Sequence, residues 1–71
     1  MNLFSQFSRA FLDVALLEMK CLEKTIRKDL SETSNDENIN ILNDALSSCL
    51  HTSNLISEAL KEYKDMETIQ H

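Results

Sequence analysis

The second half of the chain carries a regular pattern of apolar positions. From Ile39 to Tyr63, apolar residues recur at alternating intervals of three and four, and only Ser53 breaks the series. This heptad spacing keeps one seam of a helix facing a neighbouring helix. We therefore predict a helix over about residues 36–67, with its seam formed by Ile39, Leu42, Leu46, Cys49, Ile56, Leu60 and Tyr63.

The first half of the chain carries a matching seam. The pattern predicts a helix over about residues 2–31, and because the sequence has no Gly and no Pro we expect it to be continuous. Its seam is predicted to consist of Leu12, Ala15, Met19, Leu22, Ile26 and Leu30.

A polar segment, Ser31 to Asn38, separates the two predicted helices and places a turn at residues 32–35. Ser34 is followed three residues later by Glu37, the spacing of a capping box at a helix N-terminus. Asn35 and Asp36 are alternative caps for the same helix.

Folding the chain at this turn brings the two seams face to face. The facing residue numbers then add up to 68 in every pair, as an antiparallel hairpin with a short connection requires. We predict an all-α, coiled-coil-like antiparallel two-helix hairpin, with residues 1–71 forming one domain. The facing pairs are Ile26 with Leu42, Leu22 with Leu46, Met19 with Cys49, and Leu12 with Ile56.

Helix 1 has more apolar side chains than this seam uses. A second stripe lies roughly 150° around the helix from the seam, at about 100° per residue. A helix that faces one neighbour needs an apolar stripe of only about 100°. The surplus predicts a protein-binding surface, completed by a partner or by dimerisation, at Leu3, Phe4, Phe7, Ala10, Phe11, Val14, Leu17 and Cys21.

The sequence allows two other ways to bury this second stripe. The first 21 residues can bend back as a third helix, or the helix can lie on a membrane surface, with basic residues such as Arg9 and Lys20 toward the lipid. Glu18 lies near the middle of the apolar arc, where a buried carboxylate is costly without a partner. It therefore either reaches solvent at the edge or meets a basic group of a partner.

Composition and charge narrow the choice of ligand. The net charge is −5, and residues 32–71 hold eight of the twelve acidic residues but two of the seven basic ones. Nucleic acid is therefore disfavoured as a partner, because phosphate binding requires concentrated positive charge. The longest apolar run, Val14–Leu17, is too short for a membrane span. With two cysteines and no secretory signal pattern, we expect a cytoplasmic protein with free thiols.

The sequence holds no recognisable catalytic, metal or cofactor motif. His51 falls on the predicted outer face of helix 2, and neither Cys21 nor Cys49 has a base at helical spacing. There is no phosphate-binding loop and no zinc-binding helix motif. We expect a protein that is not an enzyme and that needs no cofactor.

An acidic chain of this length, with two long amphipathic helices and no Gly or Pro, resembles the small E-type co-chaperones of bacterial type III secretion systems. Proteins of that family pair with a helical-repeat chaperone and help to keep the needle subunit soluble in the cytoplasm before export. The resemblance implies that Leu3, Phe7, Val14 and Leu17 dock into such a repeat protein.

Two alternatives to this function come from other classes. A small regulator, such as an antitoxin or an anti-activator, would use the same apolar stripe to mask a surface on its target. A homodimer would use the stripe to build a four-helix bundle, and the chain would then be a homo-oligomer when alone. The sequence does not distinguish the identity or the stoichiometry of the partner.

Overall fold

The computed structural model describes residues 2–69, with side chains described for residues 2–66. Within this range the chain forms an N-terminal 3-10 turn (Leu3–Gln6) and two helices, α1 (Arg9–Glu32) and α2 (Asp36–Ile69). The two helices pack against each other as an antiparallel hairpin, which confirms the predicted all-α fold class. The hairpin is a rod with extents of 53 × 20 × 15 Å.

Three residues connect α1 to α2. Thr33 is the C-terminal cap of α1, and its hydroxyl oxygen accepts a hydrogen bond of 3.3 Å from the backbone N–H of Asn35. The side-chain oxygen of Asn35 accepts a bond of 3.1 Å from the Asn38 N–H and so caps α2. The N-cap of α2 is therefore Asn35, one of the two alternative caps. The predicted capping box of Ser34 with Glu37 does not begin this helix.

The register of the hairpin follows the predicted ladder at two points. The thiol of Cys49 donates a hydrogen bond of 3.2 Å to the backbone carbonyl oxygen of Met19. Leu12, Ile56 and Ala59, each at most 1% exposed, form the core cluster toward the open end of the hairpin. Both the Met19–Cys49 and the Leu12–Ile56 pairs add up to 68.

The seam of α2 faces α1 and, near Tyr63, the N-terminal segment that precedes α1. Ser53 also lies within this seam, and its buried hydroxyl oxygen has no hydrogen-bond partner. The predicted apolar seam residues are all buried or half-buried: Ile39, Leu42, Leu46, Cys49, Ile56, Leu60 and Tyr63.

The seam of α1 differs from the prediction at one position. Leu12 and Ile26 are buried, and Ala15, Met19 and Leu30 are half-buried, but Leu22 is 45% exposed. Glu23 is half-buried in its place, and its carboxylate accepts a hydrogen bond of 2.9 Å from the Arg27 Nε. An alternation of four and three residues from Leu12 leads through Leu16, Met19 and Glu23 to Ile26, so Leu22 lies at the edge of the seam.

Helix 1 is not continuous from residue 2, which corrects the sequence prediction. Phe7 and Ser8 are extended, with ψ angles of 156° and 151°, and α1 begins only at Arg9. The Ser8 hydroxyl accepts a hydrogen bond of 3.2 Å from the Phe11 N–H and is the N-cap of α1. Serine is among the best N-cap residues, so it ends the preceding turn and starts the helix without Gly or Pro.

The segment before this break is attached to α2. The Asn2 side-chain amide donates a hydrogen bond of 2.6 Å to the Leu55 carbonyl oxygen, and the Tyr63 hydroxyl donates one to the Phe7 carbonyl oxygen. Phe4 packs against the core cluster between these two contacts. Residues 2–7 therefore fold back on the hairpin, whereas residues 9–21, which the third-helix alternative would also fold back, belong to α1.

Candidate protein-binding surface

Exposed apolar side chains lie on α1 outside the centre of its seam and on the segment just before it. Six large ones are between 39% and 67% exposed, and Ala10 and Cys21 are exposed among them. We call this set the exposed apolar face. It consists of Leu3, Phe7, Ala10, Phe11, Val14, Leu17, Cys21 and Leu22.

The structure places the sequence-predicted binding residues on this face with one exception. Phe4 is half-buried and packs on the core cluster, because the 3-10 turn directs it toward α2. Leu22, which was predicted to be in the seam, joins the face instead. The sequence signals this change of position in one way only. A second heptad spacing, which passes through Glu23 instead of Leu22, also connects Met19 to Ile26.

Three phenylalanine rings connect the face to the core. The ring centroids of Phe4 and Phe7 are 6.0 Å apart, and those of Phe7 and Phe11 are 5.0 Å apart in a stacked arrangement. Aromatic pairs at these distances attract one another beyond their shared burial. The exposed Phe7 and Phe11 rings are therefore held in place by a partly buried neighbour.

The charged groups around the face are arranged asymmetrically. Glu18 is exposed, and helical spacing puts it next to Val14, Cys21 and Leu22 on the face. On the other side, a shallow groove is lined by two apolar side chains, three basic ones and Glu23. Its lining residues are Leu17, Lys20, Cys21, Glu23, Lys24 and Arg27.

Other exposed apolar side chains in the described part of the chain are scattered. Ile41, Leu50 and Met66 are on α2, separated from one another by two or more helical turns. Single apolar residues on a surface are common and do not indicate a binding site. The exposed apolar face is thus the candidate binding surface among the described residues.

The polar side chains available for chemistry are dispersed. Among residues 2–66, no three His, Cys, Asp or Glu side chains lie close enough together to hold a metal ion. Cys21 is exposed, Cys49 is buried, and both are free thiols. His51 is exposed on α2, while His71 lies outside the described residues.

Comparison with known proteins gives no match from which a function can be inferred. No protein-family model, no curated protein and no solved structure matches the chain. Within the described residues, neither helix combines the length and the apolar character that a membrane span requires.

Proposed function

We propose that this protein is a non-catalytic protein-binding module that docks a partner on the exposed apolar face of α1. The observation that carries the proposal is the presence of six large apolar side chains that are 39–67% exposed. Four of them lie on α1 outside the centre of its seam, and Leu3 and Phe7 lie on the segment just before α1. Exposed apolar patches of this kind on small proteins mark interaction sites. The two-helix hairpin presents this surface and covers the other side of α1.

The energetics of docking are favourable but not excessive. Burying a large apolar side chain stabilises a complex by about 1.5–3 kcal/mol, so the six together contribute on the order of 10 kcal/mol after allowance for the part already buried. Association costs about 4–15 kcal/mol. The face therefore supports a specific complex only when most of its length is covered.

At a finer level, we propose that the protein is a small cytoplasmic co-chaperone of a type III secretion system. It would bind a helical-repeat chaperone and, through it, help to keep the needle subunit soluble before export. The resemblance in length, charge and helical pattern supports this assignment, and a hairpin with one unpartnered apolar side has the form such a role requires.

Co-purification with matched variants tests the binding function. The chain is co-expressed with tagged helical-repeat proteins encoded by neighbouring genes, and the expected result is a stoichiometric complex. Leu17→Glu and Val14→Glu should weaken it at least about tenfold, because the partner must desolvate the new charge. Ser47→Glu, an exposed change on α2, is the matched control and should bind normally.

Circular dichroism separates loss of binding from loss of folding. Leu17→Glu should keep its helicity, whereas Leu12→Glu, at a fully buried position, should unfold the chain. A Leu17→Glu variant that binds as well as the wild type contradicts the docking face. If the complex forms but deletion of the gene leaves the soluble needle subunit unchanged, the co-chaperone assignment is wrong and the binding function stands.

A further inference from the structure

Glu18 is an acidic side chain surrounded by the exposed apolar face. Val14 precedes it by one helical turn, and Cys21 and Leu22 follow it by one turn, so its neighbours on the surface are apolar. No basic residue stands three or four positions away from it. Within residues 2–66, the Glu18 carboxylate makes no hydrogen bond or ion pair.

A molecule that covers the exposed apolar face also removes the Glu18 carboxylate from water, which destabilises the complex. A charge transferred from water into an apolar interface is costly unless it is paired and hydrogen-bonded. The hairpin itself supplies no cation to Glu18, so the compensating group has to come from the bound molecule. A basic side chain of the partner between Val14 and Leu22 is therefore the group that offsets this cost best.

The edge of the face has the opposite charge. Lys20 and Lys24 line the groove beside Leu17 and Cys21, and neither has an ion pair among the described residues. Arg27 in the same groove is occupied by Glu23. Charges at the rim of an interface set orientation and association rate more than affinity, so acidic groups of the partner belong along this edge.

This charge pattern disfavours a second copy of the chain as the occupant. The exposed apolar face contains no basic residue, so a second α1 packed face to face has no cation in the middle of its own face to pair with Glu18, and its Lys20 and Lys24 lie along the edge. A lipid surface is disfavoured for the same reason, because Glu18 would enter the apolar layer with the face. Neither occupant presents a cation to the middle of the face.

We propose that the face recognises an amphipathic helix of another protein, with an Arg or Lys within its apolar stripe that pairs with Glu18. Acidic residues along one edge of that helix meet Lys20 and Lys24. This inference rests on the proposed binding function and names the chemistry of its partner. Glu18 determines specificity, while the apolar side chains supply affinity.

A displayed peptide library tests the pairing with the full-length protein. Its members are 21-residue amphipathic helices with a fixed leucine stripe, in which one central stripe position and two positions along each edge are randomised. The wild type, Glu18→Arg and Glu18→Gln are used for selection. Glu58→Arg, an exposed charge reversal on α2, is the matched control.

The wild type and Glu58→Arg should enrich Arg or Lys at the central position and Asp or Glu along one edge. Glu18→Arg should enrich Asp or Glu at the centre, and Glu18→Gln should show no charge preference there. The best Arg-bearing peptide should bind the wild type about tenfold or more tightly than it binds Glu18→Arg.

Other results overturn the inference in distinguishable ways. Binders enriched without any central charge preference, or the same preference in Glu18→Arg, refute the pairing and leave the binding function intact. Absence of binders above the level of Leu17→Glu refutes both. A dimer in sedimentation that Leu17→Glu abolishes identifies a second copy as the occupant, and flotation with vesicles of anionic phospholipid that Leu17→Glu abolishes identifies a membrane.

Discussion

The hydroxyl of Tyr63, close to the end of α2, donates a hydrogen bond to the backbone carbonyl oxygen of Phe7, where the N-terminal segment turns into α1. This contact joins residues far apart in the sequence. It holds the extended Phe7–Ser8 link against the hairpin, so that the Phe7 ring stacks on Phe11. The position of Phe7, at the N-terminal end of the exposed apolar face, therefore depends on a residue of α2.

Removal of this hydroxyl should loosen the N-terminal segment. Tyr63→Phe is expected to lower the free energy of unfolding by about 0.5–1.5 kcal/mol, the usual net contribution of one hydrogen bond. Limited proteolysis should then cleave faster near Phe7, while the helicity of α1 persists. Gln6→Ala, an exposed change in the same segment, is the control, and equal proteolysis of both variants would contradict the role of Tyr63.

The cap of α2 can be tested with two adjacent residues. Asn35→Ala removes the oxygen that accepts from the Asn38 N–H and should cost about 1 kcal/mol of stability. Ser34→Ala should have a clearly smaller effect, because Ser34 lies outside the cap. Chemical denaturation monitored by circular dichroism compares the two, and a larger loss in Ser34→Ala would restore the capping box as the true start of the helix.

Leu12 and Leu17 allow a comparison of the core with the exposed apolar face, because one leucine lies in each. Leu12 is 0% exposed in the core cluster, so Leu12→Ala should cost about 2–5 kcal/mol of stability. Leu17 is 63% exposed, and Leu17→Ala should change stability by less than about 0.5 kcal/mol. Urea unfolding of the isolated chain measures both. Similar losses would show that the two leucines are equally buried in solution.

Ser53 is a position where a substitution should be tolerated or should stabilise. Its hydroxyl oxygen is buried in the seam without a hydrogen-bond partner, and an unsatisfied buried polar group costs about 1–3 kcal/mol. Ser53→Ala removes that oxygen at the cost of little volume, so the melting temperature should stay the same or rise. Ser57→Ala, at an exposed position one turn later, is the control. A fall in melting temperature confined to Ser53→Ala would mean that the hydroxyl is hydrogen-bonded in solution.

The hairpin was predictable because its signals are periodic. The spacing of the α2 seam and the polar segment before Asn38 determine the fold class, the turn and the register together. The ladder anchored by Met19–Cys49 follows from the same spacing. The predictions were wrong at two places, Ser8 and Leu22, where one side chain changes the local structure.

Ser8 and Leu22 show the two kinds of error. An unbroken apolar pattern predicts one helix through Ser8, but its hydroxyl and the contacts of Asn2 and Tyr63 with α2 stabilise a break there. At Leu22, hydrophobicity predicts burial, whereas Leu22 is 45% exposed and Glu23 is half-buried in the seam. The break at Ser8 depends on tertiary contacts that spacing along one helix does not contain, whereas at Leu22 the spacing allows two registers and does not select between them.

The position of the core cluster has a consequence for the order in which the hairpin opens. Leu12, Ile56 and Ala59 lie far from the connecting turn, whereas Leu30, Ile39 and Leu42 near the turn are only half-buried. Backbone amides around the core cluster should exchange their hydrogens most slowly, and those beside the turn should exchange first. The covalently joined end of the rod is then the looser end, and the exposed apolar face is built on the part that opens last.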